Sequence, residues 1–392
     1  MLFQPLDNKQ ECYKIYCEGQ LFDDYKKGNL SHTWAPTTHV SGNHIEYAQI
    51  YCGGKSLSEV CPEDLKIRFD AVNKKAKVYL QTFHRSKIRL EDVCFYDLVP
   101  EKFLLDFCQV KNEITRHVFQ NYQKPKNYEF LKNLLLFLNK IEQRKINLDL
   151  NSISPMNMDA KSGIEKLKEC SHNVVYNPWK TVTGRLTTEK NSFPILTLNK
   201  NLRHCVKPQN DIFLELDFNA AELRTLLGLL GEAQPEQDMH TWISENVFGG
   251  KLDRDQTKKK VFAWLYNPKS QNKKLNQYLN REKVQQLYHI GGEVRTPFGR
   301  DILVAEEKAV NYLIQSTSSD MLLTSAMNVD KMLKGRKSFL SFCIHDSIVI
   351  DLSAEDRDMV EILQKEFAKT IFGDLRVNLS LGKDFGEMKK IS

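Results

Sequence analysis

The segment Leu214-Glu-Leu-Asp-Phe-Asn-Ala-Ala-Glu-Leu-Arg224 constrains the fold most. An apolar run from Ile212 to Phe218 reads as a strand and carries Asp217 near its end. A helix then begins, because Leu223, Leu226, Leu227 and Leu230 recur at helical spacing. A carboxylate where a strand gives way to a helix sits at the lip of a sheet, where backbone leaves room for a metal and a ligand. Asp217 therefore has the position of a catalytic metal ligand, and Glu222 follows about one helical turn further on. Taken alone, the segment fits equally well a strand-to-helix turn whose Asp only caps the helix.

A second acid lies in Phe339-Leu-Ser-Phe-Cys-Ile-His345-Asp346-Ser-Ile-Val-Ile-Asp351-Leu352. Two short β-branched runs flank His-Asp-Ser, which predicts a hairpin with its polar residues at the turn. If this hairpin lies beside the first strand, Asp217 and Asp346 converge. Two carboxylates at one point repel unless a cation lies between them. Magnesium, a hard ion held by few carboxylates plus substrate phosphates, suits such a pair. Alone, Asp346 reads as an ordinary turn residue.

Between the acids lies Asp253-Arg254-Asp-Gln-Thr-Lys258-Lys-Lys-Val-Phe262-Ala-Trp-Leu-Tyr266-Asn267. Arg254, Lys258, Phe262 and Tyr266 are four apart, so on a helix they line one slowly drifting face. Two cations suit phosphates, and two flat rings suit a base or a sugar. Asp253 or Asp255 suits the start of this helix, and Asn267-Pro268 its end. The competing reading is a solvated basic helix with a buried aromatic end.

In chain order the three elements resemble motifs A, B and C of family A DNA polymerases. The match extends to Thr183-Gly-Arg185-Leu-Thr, to Asp238-Met-His240-Thr leading to Val247-Phe-Gly, and to Asn311-Tyr-Leu-Ile-Gln315-Ser-Thr-Ser-Ser-Asp320. Six ordered motifs cover about residues 176 to 352. The run Ala263-Trp-Leu-Tyr-Asn-Pro268, and the short segment from there to Val294-Arg-Thr-Pro-Phe-Gly299, look most like bacteriophage members.

The resemblance implies an α+β fold of right-hand architecture, with a palm built on an antiparallel sheet, helical fingers and a helical thumb. By position, 109–175 would be thumb, 176–237 palm, 238–294 fingers and 295–392 palm again. It implies a nucleotidyltransferase that adds deoxynucleotides to a primer 3′ end by two-metal phosphoryl transfer. Asp217 and Asp346 would hold two Mg2+ ions, with the Phe218 carbonyl as a further ligand. Arg254, Lys258 and His240 would contact the triphosphate, and Lys258 would also protonate the leaving group. Phe262 would pack on the incoming sugar, Tyr266 would stack near the templating base, and Glu222 would exclude a ribose 2′-hydroxyl. Arg185, Asn311 and Gln315 would feel the minor groove of the nascent pair, and His345 would lie near the primer terminus.

Two departures stand out: Ser347 occupies a place where many relatives carry Glu, and Asn267 replaces a Gly. Expected partners are primer–template DNA, deoxynucleoside triphosphates and a processivity or replisome protein. The alternatives are a single-chain RNA polymerase, against which Glu222 argues, and a non-catalytic DNA-binding relative, against which retention of both aspartates argues.

A net charge of +6 agrees with a polyanionic partner without demanding one. The N-terminal stretch lacks the apolar centre of a signal peptide, and no apolar run approaches the ~20 residues that cross a bilayer. A cytoplasmic protein is expected, in a host cell if phage-encoded. The 9 cysteines have irregular spacings, which argues against a disulfide framework. Cys12, Cys17, Cys52 and Cys61, with His32, His39 and His44 between them, match no standard zinc spacing and read as ordinary half-buried cysteines.

Residues 1–108 read as a small α+β region or a reduced exonuclease-like remnant of unknown role. Turns are expected at Cys52-Gly-Gly-Lys and Gly42-Asn-His, and a strand at Lys75–Phe83. The region contains no Asp-x-Glu pair of the kind from which proofreading exonucleases build a metal site, so proofreading is not expected. From Pro100 to Leu150 the pattern turns helical, with Phe103, Leu104, Phe107 and Cys108 on one face and Phe130, Leu131, Leu134, Leu135 and Leu138 on another.

Overall fold

The computed structural model describes residues 2–4, 12–23, 32–33, 46–47, 52, 55–90, 92–124, 127–152, 158–267, 270 and 272–391. They divide into two units, 1–143 and 144–392. No described helix is long and apolar enough to cross a membrane.

The first unit is α+β. Five short strands, β1 (Leu2–Gln4), β2 (Ile15–Cys17), β3 (Gln20–Phe22), β4 (His32–Thr33) and β5 (Glu46–Tyr47), form a sheet of order β3-β2-β1-β4-β5. Helices α1 (Glu63–Arg85), α2 (Glu101–Asn121) and α3 (Tyr128–Glu142) follow. The α1 helix corrects the strand expected at Lys75–Phe83. Phe69 and Val72 are buried, and Ala76, Tyr79 and Phe83 pack against the same cluster, at steps of three and four residues. The alternation seen over nine residues was one edge of that stripe, and the longer window shows the helical period. Val78 is 54% exposed, which no inward-facing strand residue would be. In α2, Phe103, Leu104 and Cys108 enter the same core, as the periodicity required.

A disulfide joins Cys12 to Cys94, with Cα atoms 5.5 Å apart and a sequence separation of 82. It runs against the expectation that the cysteines would stay unpaired, and a partner so distant leaves no local spacing to read. The pairing also withdraws Cys12 from any zinc set. Among the described residues the sole grouping with metal-ligand proximity is that same disulfide with Asp97, whose carboxylate accepts from the Tyr13 N–H. His39, His44, the Gly42-Asn-His turn, Gly53, Gly54 and Pro268 lie outside the described residues.

The second unit is built on an antiparallel sheet of β6 (Ile212–Phe218), β7 (Phe339–Ile344), β8 (Ser347–Leu352), β9 (Val377–Gly382) and β10 (Lys389–Lys390), in the order β7-β8-β6-β9-β10. The central strand β6 alternates: Leu214, Leu216 and Phe218 are buried, while Glu215 and Asp217 are half-buried on the opposite face. Phe218 stacks on Phe367 with ring centres 4.3 Å apart, fixing which face is core. A one-residue slip would exchange the two faces, so the register of the acids is set by the apolar residues between them.

Among the described residues this unit has the helices α4 (Met158–Glu169), α5 (Ala221–Leu230), α6 (Met239–Asn246), α7 (Arg254–Tyr266), α8 (Lys273–Tyr278), α9 (Arg281–Tyr288), α10 (Glu306–Met332) and α11 (Val360–Ala368). Leu223, Leu226 and Leu227 of α5 share one core with Met239, Ile243, Val261, Trp264 and Leu265, so α6 and α7 are anchored to the helix that leaves the central strand. Asp253 caps α7 through a capping box with Gln256.

Candidate active site

Strand pairing brings the two acids together. Asp217 sits opposite Ser347 in the β6–β8 ladder, and the Phe218 N–H donates to the Asp346 carbonyl at 3.2 Å. His345 takes the left-handed conformation, φ 50°, that lets β7 turn into β8 within two residues. Ala220, where β6 hands over to α5, is also left-handed at φ 54°, an uncommon conformation for alanine that costs on the order of 1 kcal/mol. Both strained residues flank the acids.

One oxygen of Asp217 accepts from Asn378 Nδ2 at 2.9 Å, and Asn378 Oδ1 accepts from Lys390 Nζ at 3.0 Å. Burial, reinforced by the negative charges of Glu215 and Asp346, pushes the Asp217 carboxyl up to about 6. Burial also raises Asp346, against the pull of Arg185 and His345. Two half-buried carboxylates, both raised by burial, are a pair short of positive charge. Their oxygens are hard donors, so the residues fit a divalent cation such as Mg2+. Phe218 points its ring into the core, so only its backbone lies at this strand end.

Glu215, two residues before Asp217, escapes a reading focused on the strand terminus. It faces the same side of the sheet, and its Oε1 accepts from the Ser347 hydroxyl at 2.9 Å. The signal was the two-residue spacing of acids in an otherwise apolar strand.

The four-residue register of α7 forms as expected. Lys258 Nζ lies 5.8 Å from the Phe262 ring centre, and the Phe262 and Tyr266 rings stack with centres 5.8 Å apart. Arg254 is ion-paired through Nε and Nη2, both 3.1 Å from the Asp238 carboxylate, which also accepts from the His240 and Thr241 N–H groups at the start of α6. Burial pushes the Asp238 carboxyl up, but the hydrogen bonds from Arg254, Asn219 and Thr241 outweigh it and hold it far below the usual carboxylate range. His240 is only 3% exposed, packs 5.9 Å from the Phe262 ring, and is pushed down to about 4 by burial. It is neutral at pH 7, and its Nδ1 has no hydrogen-bond partner among the described residues.

Glu222 ties three elements together. At 7% exposure its carboxylate accepts from the Tyr266 hydroxyl at the end of α7 and pairs with Arg185 Nη2. Burial raises its carboxyl, and Tyr266 and Arg185 oppose the rise. Arg185 follows Gly184, whose φ is +72° and where a Cβ would fall 2.7 Å from the Arg300 guanidinium, so glycine is required. Arg300 makes a two-pronged pair with the fully buried Asp320, at 2.6 and 2.8 Å, and Ser319 Oγ donates to the Gly184 carbonyl at 3.0 Å. Sequence reading missed Arg300, because an arginine after a Gly turn carries no distinguishing pattern.

A cleft of ≈ 480 Å³ is lined by Arg185, Gln315, Ser319, His345 and Asp346 among others. Thus Arg185, Gln315, His345 and Asp346 share one space. Asn311, one turn before Gln315 on α10, lines a separate depression of ≈ 350 Å³ with Arg281, Gln285 and Glu306.

Comparison with known proteins adds three relatives, all bacterial proteins named DNA polymerase I. The protein of Lactococcus lactis subsp. lactis (strain IL1403) is 26% identical over 266 residues, 53% of this chain and 30% of that protein. That of Chloroflexus aurantiacus is 23% identical over 273 residues, 55% of this chain and 29% of that protein. A shorter stretch of 90 residues is 34% identical to the protein of Lactococcus lactis subsp. cremoris (strain MG1363), covering 22% of this chain and 10% of that protein. The chain therefore spans less than a third of the length of the relatives it matches. No protein-family model matches it. Among solved structures, the POL domain of Pol1 from M. smegmatis, in complex with DNA primer-template and dNTP, is similar at a TM-score of 0.48 and 13% identity, over 84% of this chain and 66% of that one.

Proposed function

We propose that this chain is a DNA-directed DNA polymerase that extends a primer 3′ end by template-directed phosphoryl transfer. The observation that carries the reading is that Asp217, opposite Ser347 in the ladder, lies beside the turn residue Asp346, whose carbonyl accepts from the Phe218 N–H, in a unit that also presents Arg254, Lys258, Phe262 and Tyr266 along one helix. Two Mg2+ ions would be held by Asp217 and Asp346, with the Phe218 carbonyl. When bound, such ions activate the primer oxygen and neutralise charge on the leaving pyrophosphate.

The chain's own residues bind and orient. Arg254 and Lys258 draw the triphosphate to the exposed edge of α7, Arg254 exchanging its Asp238 partner for phosphate oxygens. Lys258 donates a proton to the leaving group. His240, neutral and buried behind Phe262, offers a hydrogen bond without a charge. Phe262 packs on the sugar, Tyr266 stacks beside the templating base, and Glu222 closes the space beneath the 2′ carbon. Arg185, Asn311 and Gln315 probe the minor groove, and His345 lies beside the primer terminus.

In this reading 176–237 and 295–392 form the palm, 238–294 the fingers and 109–175 the thumb. The Ala263-Trp-Leu-Tyr-Asn-Pro268 run supports a bacteriophage-type member acting in the host cytoplasm, with a processivity or replisome protein as a further partner. The missing Asp-x-Glu in residues 1–108 supports a polymerase without proofreading.

Primer extension with deoxynucleotides or ribonucleotides, with and without Mg2+, tests the reading. Metal-dependent, template-directed addition of deoxynucleotides is expected. Preferred addition of ribonucleotides would make it an RNA polymerase, and binding without extension a non-catalytic relative. A mismatched primer given Mg2+ and no nucleotides should stay intact, and metal-dependent 3′ trimming would contradict the absence of proofreading.

A further inference from the structure

The proposed metal pair leaves Glu215 unexplained. An ionisable residue in the middle of a central strand needs a reason, because its half-burial costs solvation that a leucine would not lose. Alternation places Glu215 and Asp217 on one face, two residues apart. In the ladder Glu215 sits opposite Val349, and Ser347 sits opposite Asp217. Yet the Glu215 carboxylate is reached by the Ser347 hydroxyl at 2.9 Å, so its side chain leans along the strand toward the end that holds the two aspartates. The hydroxyl also lies 3.1 Å from the Ile344 carbonyl, within the turn that presents Asp346. Ser347 is buried, and it binds Glu215 immediately beside Asp346. Among the described residues Glu215 has no cationic partner. Lys390, on the same sheet, is engaged with Asn378, which is bound to Asp217.

We propose that Glu215, positioned by Ser347, is a third carboxylate of the metal site. It stands behind Asp217 and Asp346 and accepts hydrogen bonds from water on the bound Mg2+, holding that water and adding negative charge. The inference rests on the reading of Asp217 and Asp346 as metal ligands. Groups that orient a metal's ligands and waters from behind typically change metal affinity by 10–100-fold when removed.

The test uses the full chain and Mn2+ as the probe, with binding followed by electron paramagnetic resonance of the free ion and Mg2+ dependence followed by primer extension. Glu215→Gln keeps an oxygen for Ser347 and removes only the charge. It should weaken Mn2+ binding about tenfold or more and raise the half-saturating Mg2+ by a similar factor. Its melting temperature in chelator should not fall. The exchange variant Glu215→Ser with Ser347→Glu carries the carboxylate across the strand pair, and should recover most of the Mn2+ affinity. Wild-type Mn2+ binding by Glu215→Gln would overturn the proposal, as would a folded exchange variant that recovers nothing. If the exchange variant does not fold, the Glu215→Gln measurement alone decides. Asp217→Asn separates the two levels. If it too keeps Mn2+ binding and extension, the metal-pair reading fails. If it loses both while Glu215→Gln loses neither, only the role of Glu215 fails.

Discussion

Tyr266, at the last turn of α7, donates its hydroxyl to Glu222, at the first turn of α5. The helix with the expected nucleotide-binding face is thereby tied to the strand–helix junction that carries Asp217. Arg185 holds the other Glu222 oxygen, so this carboxylate is fixed from both sides. Glu222→Ala should relax discrimination against ribonucleotides, whereas Glu222→Gln, with nearly the same volume, should largely retain it. The measurement is the ratio of deoxy to ribo incorporation efficiencies. An unchanged ratio in Glu222→Ala would mean that the side chain does not border the 2′ carbon.

Phe262 offers only an apolar ring between Lys258 and Tyr266. A dideoxynucleotide lacks the 3′-hydroxyl and loses a contact within its own triphosphate that this ring cannot replace, so discrimination against it should be strong. Phe262→Tyr adds a hydroxyl there. One hydrogen bond to a charged group is worth ~1.5–3 kcal/mol, or roughly ten- to a hundredfold in relative dideoxy incorporation. Equal ratios for wild type and variant would place Phe262 away from the sugar.

The raised carboxyl of Asp217 carries a stability consequence with a definite sign. Its folded value of about 6 lies above the unfolded value of about 4. The native state therefore holds this proton more tightly, and the group's contribution to stability is most favourable below pH ~4 and is lost as pH rises through ~6. In chelator at pH 8, Asp217→Asn should be more stable than wild type by on the order of 1–2 kcal/mol, and the difference should shrink at pH 4. Saturating Mg2+ should narrow the gap at pH 8 by stabilising the wild type. Thermal melts at the two pH values check this, and a variant less stable than wild type at pH 8 in chelator would contradict it.

The site was legible in sequence wherever chemistry coincides with an element boundary. Asp217 lies near the end of a strand that is apolar apart from Glu215, Asp346 in a two-residue turn, and the α7 residues at a four-residue interval, so local pattern was enough. Contacts made across the fold were not legible. Nothing local to Arg300 or Asp320 announces that they pair beneath Gly184, nor does Cys12 announce Cys94. The α1 helix was misjudged because Lys75–Phe83 alternates over a window too short to reveal Phe69 and Val72 on the same stripe.

The central claim is that Asp217 and Asp346 act together on one reaction. Single-turnover nucleotide addition by Asp217→Asn and Asp346→Asn, alongside primer–template affinity at fixed salt, measures it most directly. Both variants should lose several orders of magnitude in rate while binding DNA nearly as wild type does, because that affinity comes mainly from basic contacts to phosphates. Near-normal addition by either variant would contradict the account.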